Sequence, residues 1–113
     1  MERYKVGVTD KAKADIRAAA RYIAAELRQP AAAENLLGSF NEEITSLEKV
    51  LEGYGTVHDE YLASLGIRMI MVKNYLIFYL VNRTALTVTI IRALHERRDW
   101  ISILTDQHSN SLT

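Results

Sequence analysis

A histidine and four charged side chains follow directly after the apolar run that covers residues 86–94. They are His95, Glu96, Arg97, Arg98 and Asp99. Histidine exchanges a proton near neutral pH, and an arginine guanidinium binds a carboxylate or a phosphate through parallel hydrogen bonds. Because an apolar run of this kind is typical of a strand inside a sheet, we expect a working site with titratable and anion-binding groups at the rim of that sheet.

Charge is unevenly distributed along the chain of 113 residues, although its formal net charge is zero. Residues 61–98 carry six basic side chains and one acidic one, whereas the charges of residues 1–57 are nearly balanced. If the chain binds an anion, we therefore expect the second half to bind it. Overall neutrality argues against a strongly electrostatic nucleic-acid binder, because such proteins are normally basic as a whole.

Composition also argues against several classes of site. The chain has no cysteine, which excludes disulfides, thiolate metal sites and cysteine nucleophiles and fits a reducing cytoplasm. The three histidines lack the short spacing of metal ligands, so we expect no metal and no other cofactor. We find neither a signal segment nor an apolar run that could span a membrane, which predicts a cytoplasmic protein without membrane contact.

The first half of the chain predicts a strand and two helices that would support such a rim. Weak alternation favours a strand at residues 4–8, and Thr9 or Asp10 offers a helix N-cap. Apolar residues at spacings of three and four predict helices over residues 12–27 and 30–51, the second of which begins at a proline. Such stripes are usually buried faces, so we expect an antiparallel helix pair.

The second half predicts a connecting loop and three strands. The loop covers residues 56–64, and the strands cover residues 67–72, 75–81 and 86–94. The polar breaks between the strands are short enough for hairpin turns, which predicts an antiparallel meander. The middle strand is apolar on both faces, so one face can pack on the helix pair and the other needs a cover. Either a C-terminal element or a partner chain could supply that cover.

These elements fit a single domain of residues 1–105, followed by a polar tail at residues 106–113. Near the end of the domain, residues 98–104 predict a short helix with Trp100, Ile101 and Leu104 on its apolar side. The predicted fold class is α+β, with a helix hairpin packed on a mainly antiparallel, twisted sheet.

Three stretches of the second half form a series of motifs. They are Gly66-Ile67-Arg68, residues 72–79 (VKNYLIFY) and residues 90–100 (IIRALHERRDW). In this order they resemble the RelE/ParE superfamily of toxins from type II toxin–antitoxin systems, and in particular its ParE-like, or plasmid-stabilisation, members. The resemblance covers residues 3–104 and implies the order β-α-α-β-β-β, closed by a helix. It also implies growth inhibition and a cognate antitoxin that covers apolar surface of the toxin in a hetero-oligomer.

Two activities occur in this superfamily. RelE-like and YoeB-like toxins cleave mRNA on the ribosome, whereas ParE-like toxins poison DNA gyrase. RNA cleavage needs a base, an acid and cations that stabilise the charge developing on the phosphate. For a nuclease, the resemblance implies metal-independent catalysis by Arg68, His95 and Arg97, with Glu60 or Glu96 as a candidate carboxylate base.

The sequence departs from the RelE pattern at two places. Trp100 and its neighbours stand where RelE toxins carry a catalytic tyrosine, and an acidic stretch replaces a lysine pair before the second strand. These departures, the two long helices and the neutral charge favour a ParE-like toxin that binds a protein target such as DNA gyrase. Arg92, Arg97, Arg98 and Trp100 are then candidates for binding the target or the antitoxin. Two alternatives stay open, namely a ribosome-dependent mRNA endoribonuclease of RelE or YoeB type and a non-toxic module that binds an antitoxin.

Overall fold

The computed structural model describes residues 3–49 and 59–111 and contains four strands and four α-helices within these ranges. In chain order they are β1 (Lys5–Val8), α1 (Asp10–Arg21) continued by a π-helix (Tyr22–Glu26), α2 (Pro30–Ser46) continued by a 3₁₀ turn (Leu47–Lys49), α3 (Glu60–Ser64), β2 (Arg68–Val72), β3 (Tyr75–Asn82), β4 (Thr87–His95) and α4 (Trp100–Ser111). The predicted α+β fold class is confirmed, with α3 as one additional helix.

The observed helices differ from the predicted ones at three places. Residues 60–64, predicted as loop, form α3 because Asp59 caps them, its Oδ2 accepting a hydrogen bond from the N–H of Leu62 (3.0 Å). The first helix changes from α to π at Tyr22. The C-terminal helix continues to Ser111, through most of the stretch predicted as a polar tail. Residues 50–58, which include the predicted end of the second helix, lie outside the described residues.

The strands lie in the order β1-β4-β3-β2. The strands β2, β3 and β4 pair antiparallel, as the meander predicts, and β1 pairs with β4 in parallel. The register between β3 and β4 slips once, because Phe78 lies opposite Arg92 whereas Tyr79 lies opposite Ile90. Ile91 is therefore the extra residue of a β-bulge, an irregularity that bends a strand and increases its twist.

Apolar side chains bury both faces of the sheet. On the face covered by α1 and α2, the buried side chains include Leu36, Phe40, Ile77, Tyr79 and Ile90. On the opposite face, which we call the second core, they include Leu62, Phe78, Leu94 and Leu104. Leu62 belongs to α3 and Leu104 to α4. Of the two covers that the sequence allowed for this face, a C-terminal element or a partner chain, the chain's own helices therefore supply it.

The parallel strand β1 is shorter than β4, and Thr9 continues its pairing by one residue. The N–H of Thr9 donates to the carbonyl oxygen of Ile90 (3.0 Å), and its hydroxyl donates to that of Ile91 (3.1 Å). The same hydroxyl accepts from the N–H of Ala12 (3.1 Å) and so caps α1. Thr9, one of the two predicted N-caps, thus links the start of the helix to the bulge of β4.

Asp15 of α1 continues this edge pairing with its side chain. Its Oδ2 accepts from the N–H of Ala93 (3.0 Å) and from Nε of Arg92 (2.7 Å), and its Oδ1 accepts from Nη2 of Arg92 (2.8 Å). The two side chains are 11% and 15% exposed, respectively. A two-bond arginine–carboxylate pair of this kind is among the stronger polar contacts in proteins, and here it fixes the end of β4 against α1.

We predict that α4 stabilises the free chain through its buried face. Leu104 is fully buried in the second core, so Leu104→Ala should lower the free energy of unfolding by about 2–5 kcal/mol. Ile101→Ala in the same helix, where the side chain is 41% exposed, should cost no more than about 1 kcal/mol. Urea denaturation followed by circular dichroism measures both effects. Equal effects would contradict the packing of α4 on the sheet.

We also predict that the Asp15–Arg92 pair stabilises the fold. Asp15→Asn keeps an acceptor for the N–H of Ala93 but leaves the mostly buried guanidinium without its carboxylate, which should cost about 1–3 kcal/mol. Glu42→Gln on the exposed side of α2 is the matched control, with an expected effect within about 0.5 kcal/mol. A double-mutant cycle with Arg92→Gln tests the pairing, since purely additive losses would contradict a direct interaction.

Candidate functional site

The charged stretch predicted at the sheet rim forms a tight turn after β4. His95 ends the strand opposite Tyr75, and the N–H of Glu96 donates to the carbonyl oxygen of Asn74 (2.8 Å). The N–H of Arg98 then donates to the carbonyl oxygen of His95 (3.0 Å). These bonds hold the turn against the β2–β3 hairpin, so the rim predicted from the sequence has a defined shape.

The imidazole of His95 is oriented by its own turn. Its Nδ1 accepts a hydrogen bond from the N–H of Arg97 (3.1 Å), and its ring meets the ring of Tyr75 edge to face, with centroids 5.2 Å apart. Tyr75 in turn meets Phe40 of α2 at 5.6 Å. A neutral histidine that accepts at Nδ1 carries its proton on Nε2, so the half-buried His95 offers a donor on its other side.

A surface groove lies between α1 and the ends of β3 and β4, and we call it the α1–β4 groove. Its volume is about 350 Å³, within the lower part of the range of about 300–1,000 Å³ that is usual for ligand pockets. The lining residues are Asp15, Ala18, Ala19, Tyr22, Tyr75, Ala93, Leu94, His95 and Arg98. The groove therefore joins the predicted rim to one face of the first helix.

Two aromatic side chains form the walls of this groove. Tyr22 remains 54% exposed at the start of the π-helix, and Tyr75 lies half-buried across from it. Burial, and to a lesser extent the neighbouring Tyr22, raise the pKa of Tyr75 above its ordinary value. Its phenol therefore stays protonated at neutral pH and keeps its hydroxyl hydrogen for donation.

The cations of the site have different surroundings. Arg92 is bound by Asp15, and this hydrogen-bonded pairing is the main reason why the pKa of its guanidinium is raised. Arg97 and Arg98 are exposed in the turn, and only Arg98 lines the groove. Of the basic side chains of the second half, the three near this rim thus comprise one structural guanidinium and two that face solvent.

The residues implied for a nuclease are not all brought together. Arg68 lies opposite Tyr79 on β3, whereas His95 lies opposite Tyr75. Four residues along β3 span about 13 Å and two strand spacings about 10 Å, so the Cα atoms of Arg68 and His95 are about 16 Å apart. Arg97 lies in the turn beside His95, at the end of the sheet away from Arg68.

The two candidate carboxylate bases lie on different elements. Glu60 is exposed on α3, the helix that packs in the second core, and Glu96 is exposed in the turn after β4. Neither residue lines the α1–β4 groove. The described structure therefore assembles no compact set of acid, base and phosphate-binding groups from the residues that the sequence suggested.

Trp100 is on the other side of the sheet from the groove. It begins α4, whose first turn is capped by Asp99, since Oδ1 of Asp99 accepts from the N–H of Ser102 (3.3 Å). The half-buried indole packs on Phe78 in the second core, with ring centroids 5.3 Å apart. Its contact with the core anchors the end of the charged turn to the sheet.

Within residues 3–49 and 59–111, no cluster of three or more His, Asp or Glu side chains could hold a metal ion. Over the same residues, no helix combines the length and the apolar character that a bilayer span requires. His58, one of the three histidines considered as ligands, lies outside the described residues.

Sequence reasoning missed the contribution of α1 to this site. Asp15, Ala18, Ala19 and Tyr22 follow the spacing of one helix face, with an acidic residue and a tyrosine at its two ends. A carboxylate on a helix face whose other residues are predicted to be buried indicates an acid that is paired or functional. That signal was present in the sequence, but its partner Arg92 is 77 positions away.

Comparisons with known proteins agree with this architecture. The chain matches the family model of the ParE toxin of type II toxin–antitoxin systems, parDE, over residues 6–100. It is similar to the solved chromosomal ParDE toxin–antitoxin system from P. aeruginosa, with 20% sequence identity, a TM-score of 0.67, and coverage of 82% of this chain and 96% of that chain. No curated protein gives a significant match.

A second solved structure extends the comparison to the RelE side of the superfamily. It is the toxin–antitoxin complex RelBE2 from Mycobacterium tuberculosis, with 21% identity, a TM-score of 0.52, and coverage of 84% of this chain and 93% of that chain. At this level of identity, the structural similarities show a shared fold. The family model covers most of the chain, and the resemblance carried by the three motifs is confirmed: the chain belongs to the family of ParE toxins of type II toxin–antitoxin systems.

Proposed function

We propose that this ParE-family toxin inhibits growth by binding a protein target, DNA gyrase, and that it acts in the cytoplasm without a cofactor. The observation that carries the proposal is the match to the ParE toxin model over residues 6–100. A binding mechanism needs an exposed surface of suitable charge. The turn after β4 offers an exposed surface with two cations, Arg97 and Arg98, beside the exposed acids Glu96 and Asp99.

The geometry supports binding over mRNA cleavage. Cleavage would require Arg68 and His95 to act on one phosphate, and both groups would have to come within hydrogen-bond reach of it. The Cα atoms of Arg68 and His95 are about 16 Å apart across the sheet, which disfavours simultaneous contact of both side chains with one phosphate. The RelE or YoeB type of activity is therefore the less favoured alternative, and it predicts a cut message where gyrase binding does not.

The four residues predicted to bind a partner have two kinds of role in this proposal. Arg97 and Arg98 contact the target or the cognate antitoxin. Arg92 and Trp100 hold the turn from two sides, the first through Asp15 and the second through Phe78. The antitoxin binds the same exposed turn in a hetero-oligomer, so that antitoxin and target compete for it.

We predict that the purified toxin inhibits supercoiling by DNA gyrase and leaves translation of a pre-made mRNA in a cell-free system intact. The translation reaction does not depend on gyrase, so it separates the two mechanisms. Mapping the message ends completes the test. Cuts inside ribosome-bound codons would contradict the proposal and support the mRNA endoribonuclease. Normal supercoiling together with normal translation would favour the non-toxic, antitoxin-binding module.

We further predict that the double variant Arg97→Gln, Arg98→Gln weakens gyrase inhibition about tenfold or more, because it removes both exposed cations of the turn. The matched control is Lys13→Gln, Arg17→Gln, which removes two exposed positive charges from α1. Dose–response curves of supercoiling inhibition measure the difference. Equal weakening by both variants would indicate that only the total charge matters and would argue against the turn as the docking surface.

A further inference from the structure

We propose that the α1–β4 groove binds a peptide segment of a protein partner by taking up one carboxylate beside an aromatic or leucine side chain. This proposal rests on the proposed function only in that the occupant is a protein. It assigns a ligand chemistry to a groove that extends the exposed turn towards α1. Three features of the groove support the proposal, namely the shape of the groove, the hydrogen-bond donors that line it and the exposed tyrosine at its rim.

The shape of the groove fits side chains better than a folded element. Ala18 and Ala19 of α1 line it with methyl groups only, and Tyr22 and Tyr75 supply flat walls. A volume of about 350 Å³ accommodates one large side chain and a neighbouring group, near the lower limit of ligand pockets. An aromatic or leucine side chain would therefore be enclosed between the tyrosines and the alanines.

The polar groups of the groove are mainly donors. Both oxygens of Asp15 already accept hydrogen bonds, from Arg92 and from the N–H of Ala93. The remaining polar groups are Nε2–H of His95, the guanidinium of Arg98 and the two tyrosine hydroxyls. No carboxylate of the described residues forms an ion pair with Arg98. All of these groups can donate to a bound group that accepts hydrogen bonds, as an anion does, whereas only the two tyrosine hydroxyls could also accept.

The charge at the groove matches a carboxylate. The carboxylate of Asp15 and the guanidinium of Arg92 neutralise each other, which leaves the guanidinium of Arg98 as an uncompensated charge among the lining residues. A single guanidinium complements the single charge of a side-chain or terminal carboxylate, whereas a phosphate monoester carries nearly two charges at neutral pH. Charge complementarity thus favours an acidic peptide over a phosphorylated ligand.

The π-helix is an independent sign of function at this place. It begins at Tyr22, whose carbonyl oxygen accepts from the N–H of Leu27 five residues later (3.2 Å). Single π turns are rare and occur often at functional sites. Here the turn presents Tyr22 at the rim of the groove with 54% of its surface still exposed. A peptide side chain packed between Tyr22 and Tyr75 would bury that exposed ring.

The test uses the purified full chain and two small probes, N-acetylphenylalanine and its neutral amide. Titration of the ¹⁵N-labelled protein, followed by NMR, should shift the backbone signals of Ala18, Ala19, Tyr22, Leu94 and His95. The carboxylate should bind with a dissociation constant on the order of 1 mM, which suits a ligand of this size. The amide should bind at least about fivefold more weakly, because it lacks the charge that Arg98 complements.

Two substitutions of exposed lining residues and one control substitution test which groups of the groove bind the probes. Arg98→Gln should weaken binding of the carboxylate about fivefold and leave binding of the amide unchanged, because only the carboxylate pairs with the guanidinium. Tyr22→Ala should weaken both probes to a similar extent, because it removes a wall. Arg17→Gln, which removes an exposed charge from α1 outside the groove, should change neither. Circular dichroism and thermal melting confirm that all variants fold.

The proposal is overturned if the acid and the amide bind equally, if the shifts map away from the groove, or if no shift appears up to about 20 mM, well above the expected constant. An Arg17→Gln effect equal to that of Arg98→Gln would also overturn it. The titration contains neither gyrase nor antitoxin. A failure of the gyrase assay would therefore remove the proposed target and leave the ligand chemistry of the groove standing, and the reverse also holds.

Discussion

The paired carboxylate of Asp15 is the interaction on which the rest of the site depends. The strand β1 has four residues and β4 has nine, so the C-terminal part of β4 lacks a neighbouring strand on its β1 side. Thr9 and then Asp15 supply the missing hydrogen-bond partners from the start of α1. Because Asp15 also binds the guanidinium of Arg92, one side chain joins the helix to the strand, and the groove lies directly beside it.

Much of the fold could be predicted because the local signals agree with one another. Each end of the three meander strands lies within one residue of its predicted position. Pro30 begins the second helix as predicted. The short helix α3 was missed because five residues are too few to show a helical period. The far end of α4 was missed because its residues are polar, so that no apolar stripe marks them.

The candidate site could be predicted only in part, because it depends on register and on contacts between distant residues. The two-residue turn between β2 and β3 places Arg68 opposite Tyr79, and this much follows from hairpin rules. The bulge at Ile91 changes the alternation of side chains along β4, so that Ala93 rather than Arg92 follows Ile90 on the face covered by α1 and α2, while Arg92 binds Asp15. No local pattern encodes that bulge, so the sequence assigned Arg92 to partner binding although its guanidinium has a structural partner.

The cover of the second core bears on how a partner can act on this chain. The chain's own helices bury Leu62 and Leu104 against that face of the sheet, so described residues of the chain itself cover it. Exposed apolar side chains of the helix hairpin instead include Tyr22, Leu27 and Leu37, each at least 40% accessible. A partner that covers them adds buried apolar surface to helices that already pack on the sheet. The groove lies along α1 of this helix hairpin, and Arg98 of the charged turn lines it, so a partner that spans both can combine apolar burial with recognition of charge.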